Sequence, residues 1–171
     1  MKRLRSIEEI DNLYGMRVIV RASLDVTFES TPEGKVPYRV HRAIPTIMHL
    51  IDKGARVILL THMGRDPKNS TDVLLPHLQK YLPIKQTDAL VGEEALGAIM
   101  HMKEGTACLL GNLRSHPGEE KNDPEFAKEL ASYGDFYVND AFAVSHREHA
   151  SIVGIPKYLP SCMGILFEEE E

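Results

Sequence analysis

Residues 57–67 read VILLTHMGRDP, an apolar run that delivers His62 and Arg65, astride Gly64, at its tip. Three other apolar runs finish the same way. VIV leads into Arg21. ACLLGN leads into Arg114, with His116 two positions on. FYV leads into Asn139 and Asp140, then His146, Arg147 and His149. Arginine offers a planar fork of donors that matches phosphate or carboxylate with two bonds at once. One arginine at a strand end is ordinary surface. Arginines after four successive runs, on a chain of net charge −5, point to a pocket for a small, multiply charged anion. Arg39 precedes the first long helix, and spacing alone does not bring it in from its loop.

The elements must carry these residues to one place. Arg17 to Ala22 reads as a strand. His41 to Lys53 reads as a helix, with Ile44, Ile47, Met48 and Ile51 at helical spacing and Gly54 as its stop. Val57 to Leu60 is the next strand, and Ser70 or Thr71 caps a helix running to about Tyr81. Ile84 to Thr87 is a weak strand, Gly92 to Met102 a helix, Ala107 to Leu110 a strand. Asp123-Pro124-Glu125 is a strong helix start, with its stop near Gly134. Phe136 to Val138 opens a further strand. This alternation predicts a three-layer α/β, Rossmann-like domain with a mainly parallel β-sheet and helices on both faces. In such a sheet the C-terminal strand ends share one edge, where ligands bind.

With 171 residues, 43% hydrophobic and 26% charged, the chain is expected to form one domain, residues 1–171, with a substantial core. The negative balance disfavours nucleic acid and acidic membranes. MKRLRSIEEI lacks the apolar stretch of a secretory signal, and no run reaches membrane-span length. Two cysteines without CxxC suit a reducing compartment, so a cytoplasmic location is expected. Cys108, in an apolar strand, reads as a buried small hydrophobe. His146-x-x-His149 is a weak metal signal without partner ligands, and the stretch reads as a polar helix start. Glu168 to Glu171 reads as a solvated end.

THMGRDP, GNLRSHPGEEKNDPEFAKELA and VNDAFAVSHREHASIVGIPKYLP, with VRASLDV and RVHRAIPTI before them, resemble the N-terminal domain of the phosphoglycerate kinase family along nearly the whole chain. That family moves a phosphoryl group between ATP and the carboxylate of 3-phosphoglycerate. Its N-terminal domain holds the phosphoglycerate and its C-terminal domain holds Mg-nucleotide. The resemblance implies a substrate pocket of Arg21, Ser23, Asp25, Arg39, His62, Arg65, Arg114 and Arg147. Arg39 would be the catalytic group facing the transferring phosphoryl, and His62 would donate to phosphate. No nucleotide, metal or other cofactor is expected on this chain, which has neither GxxxxGK[ST] nor GxGxxG; Gly92 and Gly97 are followed by Ala98 and Ile99 where Lys and Ser or Thr would be needed. Mg-ATP or ADP would bind only through the absent C-terminal domain, whose half would act as a partner in trans. Alone, the chain is expected to bind phosphoglycerate weakly, turn over negligibly, and be a monomer or self-associate weakly.

The family usually reads Arg-Val-Asp-Phe-Asn-Val-Pro where this chain reads Arg21-Ala22-Ser23-Leu24-Asp25-Val26-Thr27. Positions 23 and 25 of an extended chain share a face, so one carboxylate is kept but displaced by about 6–7 Å. A carboxylate at about 4 Å from an anionic ligand costs on the order of 1–4 kcal/mol, and weaker or reoriented binding is expected. Asn139-Asp140 is expected to turn the chain and orient neighbouring arginines. Two other readings remain: a non-catalytic anion-binding or interaction domain, and a dinucleotide-dependent oxidoreductase, which lacks the glycine fingerprint.

Overall fold

A computed structural model describes residues 5–25 and 35–170. The opening residues Met1 to Leu4, the Val26-Thr27 end of the first-strand motif, and Glu171 lie outside them. Among the described residues, six strands, β1 (Arg17–Arg21), β2 (Arg56–Leu60), β3 (Ile84–Gln86), β4 (Thr106–Leu109), β5 (Phe136–Asn139) and β6 (Ser161–Met163), form one sheet in the order β3-β4-β2-β1-β5-β6. Every pairing is parallel. Side chains alternate between faces. Val18, Val20, Val57, Leu59 and Val138 enter one core, and Ile19, Ile58, Cys108 and Tyr137 enter the other. Burial of both faces is why these strands read as unbroken apolar runs.

Helix α1 (Tyr38–Asp52) and the single turn α2 (Leu75–Leu78) cover the first face; α3 (Glu93–Met100) and α4 (Pro124–Ala131) cover the second. Helix α1 begins three residues before the expected His41. Its buried stripe is Val40, Ala43, Ile47 and Leu50, with Ile44, Met48 and Ile51 only partly buried beside it. Arg39 therefore stands on the first helical turn and not in a loop. The helix expected from Ser70 to about Tyr81 is shorter. Ser70 caps a 3-10 turn, Thr71–Leu74, followed by α2.

The sequence reading missed β6; the helix after it, α5 (Ile165–Glu170), lies in GILFEEEE, near where the resemblance puts the start of the family's inter-domain helix. The acidic end is thus helical, although Glu168 to Glu170 remain exposed. Thr46 Oγ1 of α1 accepts from Ile165 N at 2.9 Å, and Arg42 NH2 lies 3.2 Å from Glu169. Gly111, just past β4, runs so close to another loop that a Cβ there would meet Asp88 O at 2.1 Å. Only glycine allows that approach. Among the described residues no helix is long and apolar enough to cross a membrane.

Candidate functional site

The all-parallel sheet puts the segments following β1, β2, β4 and β5 along one edge. Arg21, the last residue of β1, is 1% exposed. Its Nε donates to Ser151 Oγ at 2.9 Å, one terminal nitrogen donates to Ala22 O, and the other lies 2.9 Å from His62 Nδ1. Guanidinium only donates. Nδ1 of His62 must accept, and the ring is the neutral tautomer with its proton on Nε2. That nitrogen lies 3.3 Å from Asp25 Oδ2. Burial, with the charges of Arg21 and Arg114, pushes His62 down to about 4 despite Asp25. The expected phosphate donor is therefore neutral at pH 7 and directed at Asp25.

Behind Arg21 stands Glu119, also 1% exposed. Its Oε1 accepts from Ser151 N at 2.8 Å and Tyr137 OH donates to Ser151 O at 2.6 Å. Among the described residues Glu119 Oε2 has no hydrogen-bond partner. Its charge opposes the effect of burial on Arg21. A buried cation is thus compensated by a buried anion with Ser151 between them.

The loops are stitched to each other. Thr61 Oγ1 accepts from Leu24 N at 3.1 Å. Asp25 Oδ1 accepts from Gly64 N at 2.8 Å. Asn112 Oδ1 accepts from Met63 N and Arg114 N, while its Nδ2 donates to Met63 O and Asn69 O. Arg114 NH1 donates to Gly64 O. Gly64 itself has φ +63°, which suits it to the tight turn. Arg65 follows it and is exposed, as is Arg147 beyond β5. Arg114 and Arg147 are both near enough to Arg21 to depress its affinity for a proton.

These contacts gather Arg21, Asp25, His62 and Arg114, with Arg65 next to Gly64 and Arg147 close by. Arg39 and Ser23 line a recess of about 240 Å³ with Tyr38, Arg42, Phe142 and Glu170. Ser23 is buried, and among the described residues its hydroxyl has no partner. Ser23 lines this recess, and Asp25 bonds to Gly64. The strand ends at Arg21, so the two-residue alternation expected beyond it is lost. Arg21 lies behind His62 and not at the surface.

Asp140 also differs from expectation. Its carboxylate is 1% exposed and accepts from Phe167 N at 3.2 Å. It holds the start of α5, and among the described residues no hydrogen bond or ion pair joins it to an arginine. Asn139 does turn the chain, its Oδ1 accepting from Ala141 N. His146 is exposed, and His149 directly precedes a π-helical turn, Ala150–Gly154. Cys108 is buried, and burial pushes its thiol up to about 11. Ser151, Glu119, Thr61 and Asn112 were not singled out in the sequence. Only Asn112, directly after a strand and a glycine, carried a recognisable turn signal.

A family model described as phosphoglycerate kinase matches residues 7–171. The phosphoglycerate kinase of Dictyoglomus turgidum is 43% identical over 168 residues, covering 94% of this chain and 42% of that protein. Phosphoglycerate kinase 1, chloroplastic, of Arabidopsis thaliana is 46% identical over 166 residues, covering 93% of this chain and 34% of that protein. The solved phosphoglycerate kinase structures from Coxiella burnetii and Pyrococcus horikoshii superpose with TM-scores of 0.80 and 0.79, each at 31% identity. They cover 98% and 96% of this chain and 43% of their own. The chain thus spans less than half the length of these relatives.

Proposed function

Because the chain belongs to the phosphoglycerate kinase family, corresponding to its N-terminal domain, we propose that it is the 3-phosphoglycerate-binding half of such an enzyme. The reaction served is ATP plus 3-phosphoglycerate giving ADP plus 1,3-bisphosphoglycerate, in the cytoplasm. The nucleotide and its Mg²⁺ are held by a C-terminal half outside these 171 residues. The observation that carries the reading is the gathering of arginines from four separate segments at one rim of the sheet.

The chemistry asked of this half is neutralisation and positioning, with no covalent intermediate and no general base. Arg65, Arg114 and Arg147 clamp the substrate. Arg39 offers a fixed positive charge at the first turn of α1, where the helix end also favours an anion. The buried Arg21 acts through His62. Asp25, already on His62 and Gly64, favours a second reading, a domain that binds anions without supporting catalysis.

Calorimetric titration with 3-phosphoglycerate, ATP and NAD separates the readings. Binding of phosphoglycerate alone is expected, and ATP formation should appear when a C-terminal half is added. Silence toward all three would support an interaction domain, and NAD binding an oxidoreductase. Arg65→Met should weaken phosphoglycerate binding about tenfold or more, the loss of one charge-assisted contact. Arg65 is exposed, so the denaturation midpoint should not move. An unchanged Kd removes Arg65 from the pocket.

A further inference from the structure

We propose that Asp25 determines the specificity of this pocket by acting as an internal competitor. Its carboxylate occupies the two donors, His62 Nε2–H and Gly64 N–H, that an incoming anion would otherwise take. The inference rests on the anion-pocket reading above and says which groups an anion must displace.

Both oxygens of Asp25 are engaged, Oδ1 with Gly64 N at 2.8 Å and Oδ2 with His62 Nε2 at 3.3 Å. His62 has no second way to present a proton. Its other nitrogen accepts from Arg21 at 2.9 Å, and Arg21 is held in place by Ser151 and Ala22 O. The tautomer is therefore dictated from behind. The side chain of Asp25 is 30% exposed against 7% for His62, so the carboxylate sits at the mouth and the ring beneath it. An anion that takes the ring's Nε2 proton has to displace Asp25. The pocket is thereby biased against negative charge at this spot.

A four-protein cycle tests this: the parent, Asp25→Asn, His62→Asn and the double variant. Asparagine at 62 keeps an acceptor for Arg21 but has no donor at the Nε2 position, so it isolates the contested proton. Calorimetry with 3-phosphoglycerate should give about tenfold tighter binding for Asp25→Asn. His62→Asn should weaken the Asp25→Asn protein about tenfold and the parent by markedly less. Nitrogen-15 spectra of the ligand-free parent should show His62 with Nδ1 bare and Nε2 protonated. Asp25→Ser, with Asp25→Asn, guards against a substitution that disturbs folding, each checked by its denaturation midpoint. The proposal is overturned if neither Asp25 variant binds more tightly, if the His62 effect is equal in both backgrounds, or if the ring carries its proton on Nδ1. Silence from all four proteins with the ring as expected is a different result. It sinks the anion pocket itself, and the competition with it.

Discussion

Arg21→Met is expected to lower the unfolding free energy by about 3–5 kcal/mol, the loss typical when one member of a buried charged pair is removed. The substitution nearly preserves volume, so the loss is electrostatic. Three acceptors, Ser151 Oγ, Ala22 O and His62 Nδ1, are left without their donor. Glu119, at 1% exposure, is left as an uncompensated buried carboxylate whose second oxygen already has no partner among the described residues. Glu119→Gln in the Arg21→Met background should recover part of the loss, because the neutral amide no longer needs the cation. Glu119→Gln alone should destabilise. The sign reversal is the signature of a coupled pair. Urea unfolding of the four proteins measures it. A loss below about 1 kcal/mol for Arg21→Met, the level of one ordinary hydrogen bond, would remove Arg21 from the structural centre of the site.

Much of this arrangement was legible in the sequence, and the illegible part has a common cause. The parallel sheet follows from continuous apolar runs separated by helical stripes, both local patterns. The arginines at the strand ends follow from the same runs. That Arg21 would be buried does not follow, since arginine is nearly always exposed unless paired. Its partner Ser151 lies 130 positions away. Glu119 sits in the charged run Gly118-Glu119-Glu120-Lys121, which reads as surface, yet Glu119 is buried and Glu120 exposed. No periodicity separates those neighbours; only tertiary packing does. The family resemblance assigned His62 to the ligand by position. It could not show that the ring's proton is already shared with Asp25, because that depends on the loop after β1 reaching Gly64. Short elements escaped local patterning for another reason. Strand β6 has three residues and α5 six, too few for a pattern to emerge. Their place is set by Thr46, Asn139 and Asp140, through side-chain or backbone oxygens that accept from Ile165, Gly164 and Phe167.

Asp140→Asn is expected to leave stability unchanged near pH 4 and to raise it by up to about 4 kcal/mol at pH 8. The Asp140 carboxyl is buried at the meeting of β5, α1 and α5, and Gly164 is packed so tightly on it that a Cβ there would come within 2.2 Å of Oδ1. Desolvation raises its pKa from 3.8 to about 7, although Thr46, Leu166 and Phe167 favour the charged form. The folded protein therefore prefers the protonated acid, and that preference stabilises it. The contribution is full below pH 4 and is lost as pH rises to about 7, at about 1.4 kcal/mol per pH unit. Asparagine stays neutral throughout and can still accept from Phe167 N. His62 works in the opposite direction. Its pKa falls from 6.5 to about 4, so its contribution is full above pH 6.5 and is lost as pH drops through 4. Between those limits the two slopes offset one another, and the parent's stability should be nearly level before declining toward pH 7. Removing Asp140 exposes the His62 slope, so the Asn variant should gain stability from pH 4 to 6.5 and then hold it. Urea midpoints at pH 4.5, 6 and 8 decide the matter. A variant no more stable than the parent at pH 8 would mean that Asp140 is already ionised in the folded protein at neutral pH, with α5 held by a charged carboxylate instead of a neutral acid.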